Sequence, residues 1–208
     1  MNFWTRAAAC LLALAALPAL AAEGDPAAGQ AKSAVCAACH GPDGNSAVPQ
    51  WPKLAGQHPK YLERHTKLIQ SGARPVPEMM AIVAGLTEQD HKDLAAWFSS
   101  QTIQRGVADE SLVDAGERLY RAGNASSGVP ACMACHGPDG AGNPLVPYPA
   151  LAGQHSVYTA SILTRYRDGT RWGPDDEASG IMVEVASKLT DAEIEAVASY
   201  LQGLAPNP

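Results

Sequence analysis

Two stretches of this sequence are nearly identical, CAACHGPDG at 36–44 and CMACHGPDG at 132–140. Farther along, PKLAGQH at 52–58 matches PALAGQH at 149–155, and in each half a methionine then stands seven residues before a Leu-Thr pair. Three blocks that recur in the same order indicate an internal duplication. Each copy has about 90 residues, which suits a small domain and is too long for a solenoid repeat.

The duplication and the beginning of the chain together predict three segments. Residues 1–22 combine Arg6, an apolar run of Ala and Leu and a small-residue end, which is the pattern of a cleaved secretory signal. The alternative, a membrane anchor, is disfavoured because the apolar run is shorter than the roughly 20 residues that span a bilayer. We expect domains at 23–104 and 105–208, and export to the periplasm.

The composition narrows the possible function classes. Of the 208 residues, 46% are hydrophobic and 17% charged, as in ordinary globular proteins, and the net charge of −6 argues against nucleic-acid binding. Aromatic residues make up only 6%, whereas the chain has 19 Gly and 16 Pro. A core with so few rings needs another apolar filler.

The acidity is concentrated in the second half. Residues 23–104 carry 7 basic and 8 acidic side chains, and residues 105–208 carry 7 and 13. This asymmetry leads to the hypothesis that the two halves dock different partners, because complementary charge governs encounter rate and specificity. The alternative is a solvated acidic face without such a role.

Both halves are predicted to be all-α, since no stretch alternates as a strand would. Helical periodicity, a Pro at a first helical position and capping-box pairs predict three kinds of helix in each half. These are a short helix before the cysteines (29–33 and 115–121), a middle helix (59–72 and 156–169), and a last helix that begins with Thr87 and Asp90 or with Thr190 and Glu193.

The repeated Cys-x-x-Cys-His is the pattern of covalent haem attachment, because thiols at this spacing add across two vinyl groups while the adjoining imidazole reaches the iron. The alternatives are a zinc site, redox dithiols or structural disulfides. Zinc does not explain a histidine after each pair, and a thioredoxin-like dithiol expects a βαβ setting. We therefore predict two haem c groups, held by Cys36, Cys39, Cys132 and Cys135, with His40 and His136 as axial ligands. The fifth cysteine, Cys10, falls in the leader.

The second axial ligand decides the redox task of such an iron. Met79 and Met182 hold the same register in the two halves, in segments that we interpret as Pro/Gly-rich loops, and are the predicted ligands. Met80, the neighbour of Met79, is interpreted as core filler.

Four further histidines need an interpretation. His58 and His155 recur in both halves, so bis-histidine ligation has to be considered, but we favour a polar role at the haem edge or a plain role at the start of a helix. His65 and His91 have no counterparts in the second half and are interpreted as ordinary surface or helix-face histidines.

These motifs resemble class I cytochromes c, and the duplication with its LAGQ motifs is similar to the dihaem cytochrome c4 group. The resemblance covers the whole mature chain. It implies two tandem cytochrome c domains, each a few helices wrapped around one haem, related by a pseudo-twofold axis with the haem propionates close together at the interface. It also implies that the carbonyls of Pro52 and Pro149 accept the second ring proton of His40 and His136, which fixes the imidazole and tunes the iron.

The same resemblance predicts where the first and last helices of each half meet. Gly29 should pack near Trp97, and Gly116 near Tyr200. The second half departs from the first in one respect, because Gly116 stands 16 residues before its cysteine pair and Gly29 only 7. This insertion, which contains 124–128, is expected to alter the geometry of the second domain near its first helix.

His/Met ligation leaves no vacant iron position, so the sequence predicts an electron carrier and not an enzyme. The resemblance implies a periplasmic shuttle, with a quinol-oxidising complex or a dehydrogenase as donor and a terminal oxidase as acceptor, and peripheral membrane association is left open. The alternative is a haem relay subunit of a periplasmic dehydrogenase complex that oxidises a sulfur compound or an alcohol. A dihaem peroxidase would require one open iron.

Overall fold

The computed structural model describes residues 23–173 and 176–205, so the predicted leader at 1–22 lies outside the described residues. Within these ranges the chain forms ten helices and no strand beyond two isolated bridges. The helices are α1 (Pro26–Lys32), α2 (Ala34–His40), α3 (Pro59–Gln70), α4 (Pro77–Val83), α5 (Glu88–Ser99), α6 (Glu110–Ala122), α7 (Met133–His136), α8 (Ser156–Arg167), α9 (Glu177–Ala186) and α10 (Asp191–Gly203). The all-α prediction is confirmed.

The two halves repeat one packing scheme. In the first half α1 packs against α5, and α3 packs against both α5 and α4. In the second half α6 packs against α10, and α8 packs against both α10 and α9. The short helix that ends at the Cys-x-x-Cys-His histidine follows the first helix in each case, as α2 and α7.

Glycines allow the first and last helices of each half to cross closely. A Cβ added at Gly29 would overlap the backbone of Asp93 and lie 2.8 Å from the Cβ of Trp97. A Cβ at Gly116 would overlap the Ala196 carbonyl and lie 2.6 Å from the Cβ of Tyr200. The predicted crossings are therefore present in both halves.

The last helices begin where the capping pairs predict. At α5, the Thr87 backbone N–H donates to Asp90 at 2.8 Å, and the Asp90 backbone N–H donates to the Thr87 hydroxyl at 3.2 Å. Thr190 and Glu193 make the same reciprocal pair at α10, at 2.9 and 3.2 Å. Each box satisfies backbone donors that a helix N-terminus otherwise leaves without partners.

The side-chain cores of the halves differ in size. The buried cluster of the first half contains only Leu62, Leu94, Ala95 and Phe98, with Cys36 packed against it. The second has a larger cluster that includes the fully buried Tyr120 and Trp172. In both, a cysteine of the attachment motif borders the core.

The insertion of the second half forms a small closed turn. Asn124 and Val129 exchange backbone hydrogen bonds of 2.8 and 3.0 Å, and the Asn124 side chain donates to Glu193 of α10 at 2.7 Å. Val129 is buried in the core at 3% exposure. The inserted segment thus contributes a buried side chain to the core of the second half.

Candidate haem sites

The attachment motifs lie on two short helices that end in the same way. Cys36 and Cys39 are three residues apart on α2, which places both side chains on one face. In each half the helix ends at the histidine, and a glycine with φ of 78°, Gly41 or Gly137, turns the chain away. A left-handed φ of this kind favours glycine because it has no Cβ.

Each motif histidine is oriented by a proline carbonyl. His40 donates from Nδ1 to the Pro52 oxygen at 2.8 Å, and His136 donates from Nδ1 to the Pro149 oxygen at 3.0 Å. Because a carbonyl can only accept, the ring proton is on Nδ1 and the lone pair of Nε2 is available for a metal. Burial lowers the pKa of both imidazoles, opposed by the proline hydrogen bonds, which favours the neutral ring that a metal needs.

One cleft, lined mostly by the second half and also by α3 of the first half, brings the predicted site residues of the second half together. Cys132, Cys135, His136, Pro149 and Met182 all line it. The cleft and its opening to solvent together enclose about 1550 Å³. Its other walls are mainly aliphatic, with Leu151, Ile162, Leu163, Val185, Leu189, Val197 and Leu201 among them. Thiols, imidazole and thioether around an apolar cleft fit a haem.

The corresponding residues of the first half are placed on α2 and α4. Cys36 is half-buried against Leu62, Leu94 and Phe98, and Met79 is half-buried on α4. The neighbouring Met80 is 41% exposed, so its interpretation as core filler was wrong.

The methionines lie on helices and not in the loops that were predicted. Met79 belongs to α4, which begins with Pro77 at its first position, and Met182 belongs to α9. Both helices pack against the middle helix of their half, α3 or α8. This tertiary contact stabilises short helices whose Pro and Gly content alone indicates a loop.

The first thiol of each motif has a raised pKa, which is the opposite of what a redox dithiol needs. Burial raises the pKa of Cys36, and it raises the pKa of Cys132 to about 11, because the thiolate loses its solvation. Reactive dithiols have lowered pKa values instead. The four motif cysteines form no disulfide, and within 23–173 and 176–205 no three His, Cys, Asp or Glu side chains gather as a metal cluster.

The remaining histidines differ from their interpretation in part. His58 and His155 are the N-cap residues of α3 and α8, as a role at the start of a helix requires. His155 also reaches the other half, with Nε2 at 2.8 Å from the Ser46 carbonyl oxygen. His65 and His91 are buried at 5% and 1% exposure, so a surface position was wrong for both.

A polar cluster joins the halves beside the cleft described above. Arg74 is buried, donates to Tyr158 at 2.9 Å and lies 5.1 Å from the centre of the Trp172 ring. Arg64 of α3 forms an ion pair with Asp176 of the second half. These residues were not predicted from the sequence, because Arg74 and Arg64 lie outside the repeated motifs and only the fold brings them to the boundary.

The comparisons with known proteins agree with the duplicated helical fold. The family model for cytochrome c matches residues 26–102 and again 113–205. Cytochrome c4 of Pseudomonas aeruginosa is 49% identical over 183 residues, which cover 88% of this chain and 90% of the relative. The crystal structure of reduced recombinant cytochrome c4 from Pseudomonas stutzeri matches with a TM-score of 0.83 and 47% identity, over 87% of this chain and 99% of that one. A protein of Thiomonas intermedia named thiosulfate dehydrogenase electron acceptor is 35% identical, over 94% of this chain and 92% of its own length.

Two helical halves, each with one thiol pair and one oriented histidine, define a dihaem c-type cytochrome, an electron-transfer protein with two covalently attached haem c groups and not an enzyme. The chain belongs to the cytochrome c4 family. None of the described helices is both long and apolar enough to cross a membrane.

Proposed function

We propose that this protein is a periplasmic electron carrier whose two irons are ligated by His40 with Met79 and by His136 with Met182. The observation that carries the proposal is the cleft of the second half, where Cys132, Cys135, His136 and Met182 line one apolar space. The first half has the same motif, proline carbonyl and methionine register. The chain divides into functional units at 23–104 and 105–208, after removal of 1–22.

The protein residues have separate tasks in this proposal. The thiols hold the group covalently, and the group, when bound, supplies the one-electron Fe(III)/Fe(II) couple. The imidazole is kept in one tautomer by the proline oxygen, and the thioether of the methionine raises the potential. An iron held by one imidazole nitrogen and one thioether sulfur would have no position left for a substrate, so electron exchange is the chemistry that remains.

The ligand assignment is tested by near-infrared absorption of the oxidised protein. A methionine-to-iron charge-transfer band of two haem equivalents is expected for the wild type. Met79→Ala and Met182→Ala should each lose half of the band, while Met80→Ala, the exposed neighbour, should keep all of it. A full band in Met182→Ala, or bis-histidine signals in the wild type, would overturn the assignment.

The proposed partners are a quinol-oxidising complex or a dehydrogenase as donor and a terminal oxidase as acceptor. The likeness to the thiosulfate dehydrogenase electron acceptor favours a second candidate, in which the chain relays electrons from such a dehydrogenase. Rapid mixing of the oxidised protein with each purified donor separates the two. Reduction by the quinol-oxidising complex at a rate that saturates with its concentration supports the shuttle, and reduction by a co-purifying thiosulfate dehydrogenase alone supports the relay.

A further inference from the structure

Two glutamine side chains cross the boundary between the halves in a reciprocal way. Gln57 accepts the Ala150 backbone N–H at 3.0 Å and donates to the Ala150 carbonyl at 2.9 Å. Gln154 accepts the Lys53 backbone N–H at 2.9 Å and donates to the Lys53 carbonyl at 2.9 Å. Both glutamines are 8% exposed. Each amide therefore satisfies both backbone polar groups of one residue in the other half.

The orientation of each amide is fixed by its partners. The Gln57 side-chain oxygen also accepts the backbone N–H of His58 at 3.0 Å, and the Gln154 oxygen accepts that of His155 at 3.0 Å. Backbone N–H groups can only donate, so the oxygen must face them and the nitrogen must face the carbonyl. A leucine or a shorter amide at these positions cannot make the same set of bonds.

The peptide group that each glutamine holds is the one that orients the motif histidine. The N–H of Lys53 and the C=O of Pro52 belong to a single planar peptide unit, and the Pro52 oxygen accepts from His40. In the same way, the peptide unit between Pro149 and Ala150 connects Gln57 to His136. A hydrogen bond at the N–H end of a peptide polarises it and makes its oxygen a better acceptor.

We propose that Gln154 positions and polarises the peptide group that orients His40, and that Gln57 does the same for the peptide group that orients His136. Each half thereby tunes the iron site of the other. Both are positioning residues, since they act through a peptide group and touch no reacting atom. The proposal rests on the proposed ligation by His40 and His136. A stronger acceptor makes the imidazole more electron-rich and favours Fe(III), so each glutamine lowers the potential of the haem in the opposite half.

The two peptide groups that orient the histidines are held unequally, because the residue after the proline is Lys53 in one half and Ala150 in the other. The Lys53 ammonium donates to the Gly153 carbonyl at 3.2 Å and to the Gln104 carbonyl, which ties this segment down at further points. Ala150 has no such side chain. The loss of Gln57 should therefore affect His136 more than the loss of Gln154 affects His40.

The test measures the potential of each haem separately, by redox titration of the haem methyl resonances in NMR spectra of the holoprotein. Gln57→Leu should raise the potential of the second haem, changing its reduction equilibrium constant about three- to tenfold, where tenfold is 59 mV for one electron. Gln154→Leu should raise the potential of the first haem by less. The matched control is Gln202→Leu, because Gln202 also bridges backbone groups, Ser156 N–H and Val107 C=O, but within the second half. It should move neither potential.

Further readouts keep the outcome decisive. Amide hydrogen exchange at Ala150 should accelerate in Gln57→Leu, which shows that the intended bond was removed. Gln57→Asn, which keeps an amide but lacks one methylene, replaces the leucine variant should that fail to fold. Equal shifts of both haems, a shift only of the haem in the same half, or no shift with faster exchange would each overturn the proposal. A wild type without the methionine charge-transfer band would instead contradict the ligand assignment.

Discussion

The Arg74 guanidinium donates a hydrogen bond of 2.9 Å to Nδ1 of His65, and both side chains are buried. Arginine can only donate, so Nδ1 must be the unprotonated nitrogen and the imidazole must be neutral. Burial lowers the pKa of His65 well below its ordinary value, and the charges of Arg74 and Arg64 lower it further. The pair therefore holds only while His65 remains unprotonated.

The first prediction is that acid weakens the fold through His65. Below a pH of about 6.5 the unfolded chain binds a proton at this residue while the folded chain does not, so the free energy of unfolding falls as the pH drops, by up to about 1.4 kcal/mol per pH unit. The contribution is fully present above that pH. His65→Gln keeps an acceptor for Arg74 without a titrating group and should show a shallower slope between pH 7 and 5. Denaturant unfolding of the holoprotein measures both slopes, and identical slopes would contradict the prediction.

The second prediction concerns Arg74 itself. Arg74→Leu removes the bonds to His65 and Tyr158 and leaves buried polar groups without a partner, so the free energy of unfolding should fall by about 2–4 kcal/mol. Arg74→Lys should recover little, because an ammonium lacks the planar fork that reaches both partners. The control is Arg121→Leu, which breaks an exposed pair with Glu117 and should cost far less, because solvent screens exposed ion pairs. Equal losses for Arg74→Leu and the control would show that the bonds of Arg74 to His65 and Tyr158 contribute no more to stability than an exposed ion pair does.

Arg74 also shows where prediction from the sequence ends. The helix starts at Thr87 and Thr190 and the attachment motifs were predictable, because each depends on residues close in sequence. The glycine crossings were implied by the family resemblance. His65 and His91 lack counterparts in the second half, and the burial of both histidines and of Arg74 depends on contacts that only the assembled fold creates.

The helices that carry the two methionines, α4 and α9, are a second example of structure that could not be predicted from the sequence. Gly180 lies inside α9, where glycine normally weakens a helix. A Cβ at this position would lie 3.2 Å from the Arg171 guanidinium, so α9 passes close to this side chain here. Such a contact cannot be read from local propensity, which explains why α9 was predicted as a loop.

The third prediction concerns the helix crossings. Gly29→Ala and Gly116→Ala force a methyl group into the backbone of α5 or α10, and each should lower the free energy of unfolding by about 1–3 kcal/mol. Gly85→Ala is the control, since a Cβ at Gly85 meets no atom within 4 Å and the change should be near neutral. Thermal unfolding of the holoproteins measures the three. A neutral Gly29→Ala would show that the crossing can open without loss.

The last prediction concerns partner docking by the unequally charged halves. Residues 105–208 carry 13 acidic against 7 basic side chains, whereas 23–104 are nearly balanced, so a partner that docks on the second half should associate more slowly as salt screens the attraction. Association rates of the donor and the acceptor, measured against ionic strength, should therefore differ in slope. Glu184→Gln and Glu78→Gln remove exposed carboxylates close to the two methionines and form a matched pair. Glu184→Gln should flatten the steeper slope and Glu78→Gln should leave it unchanged, whereas equal slopes for both partners would show that the acidic face is only solvated.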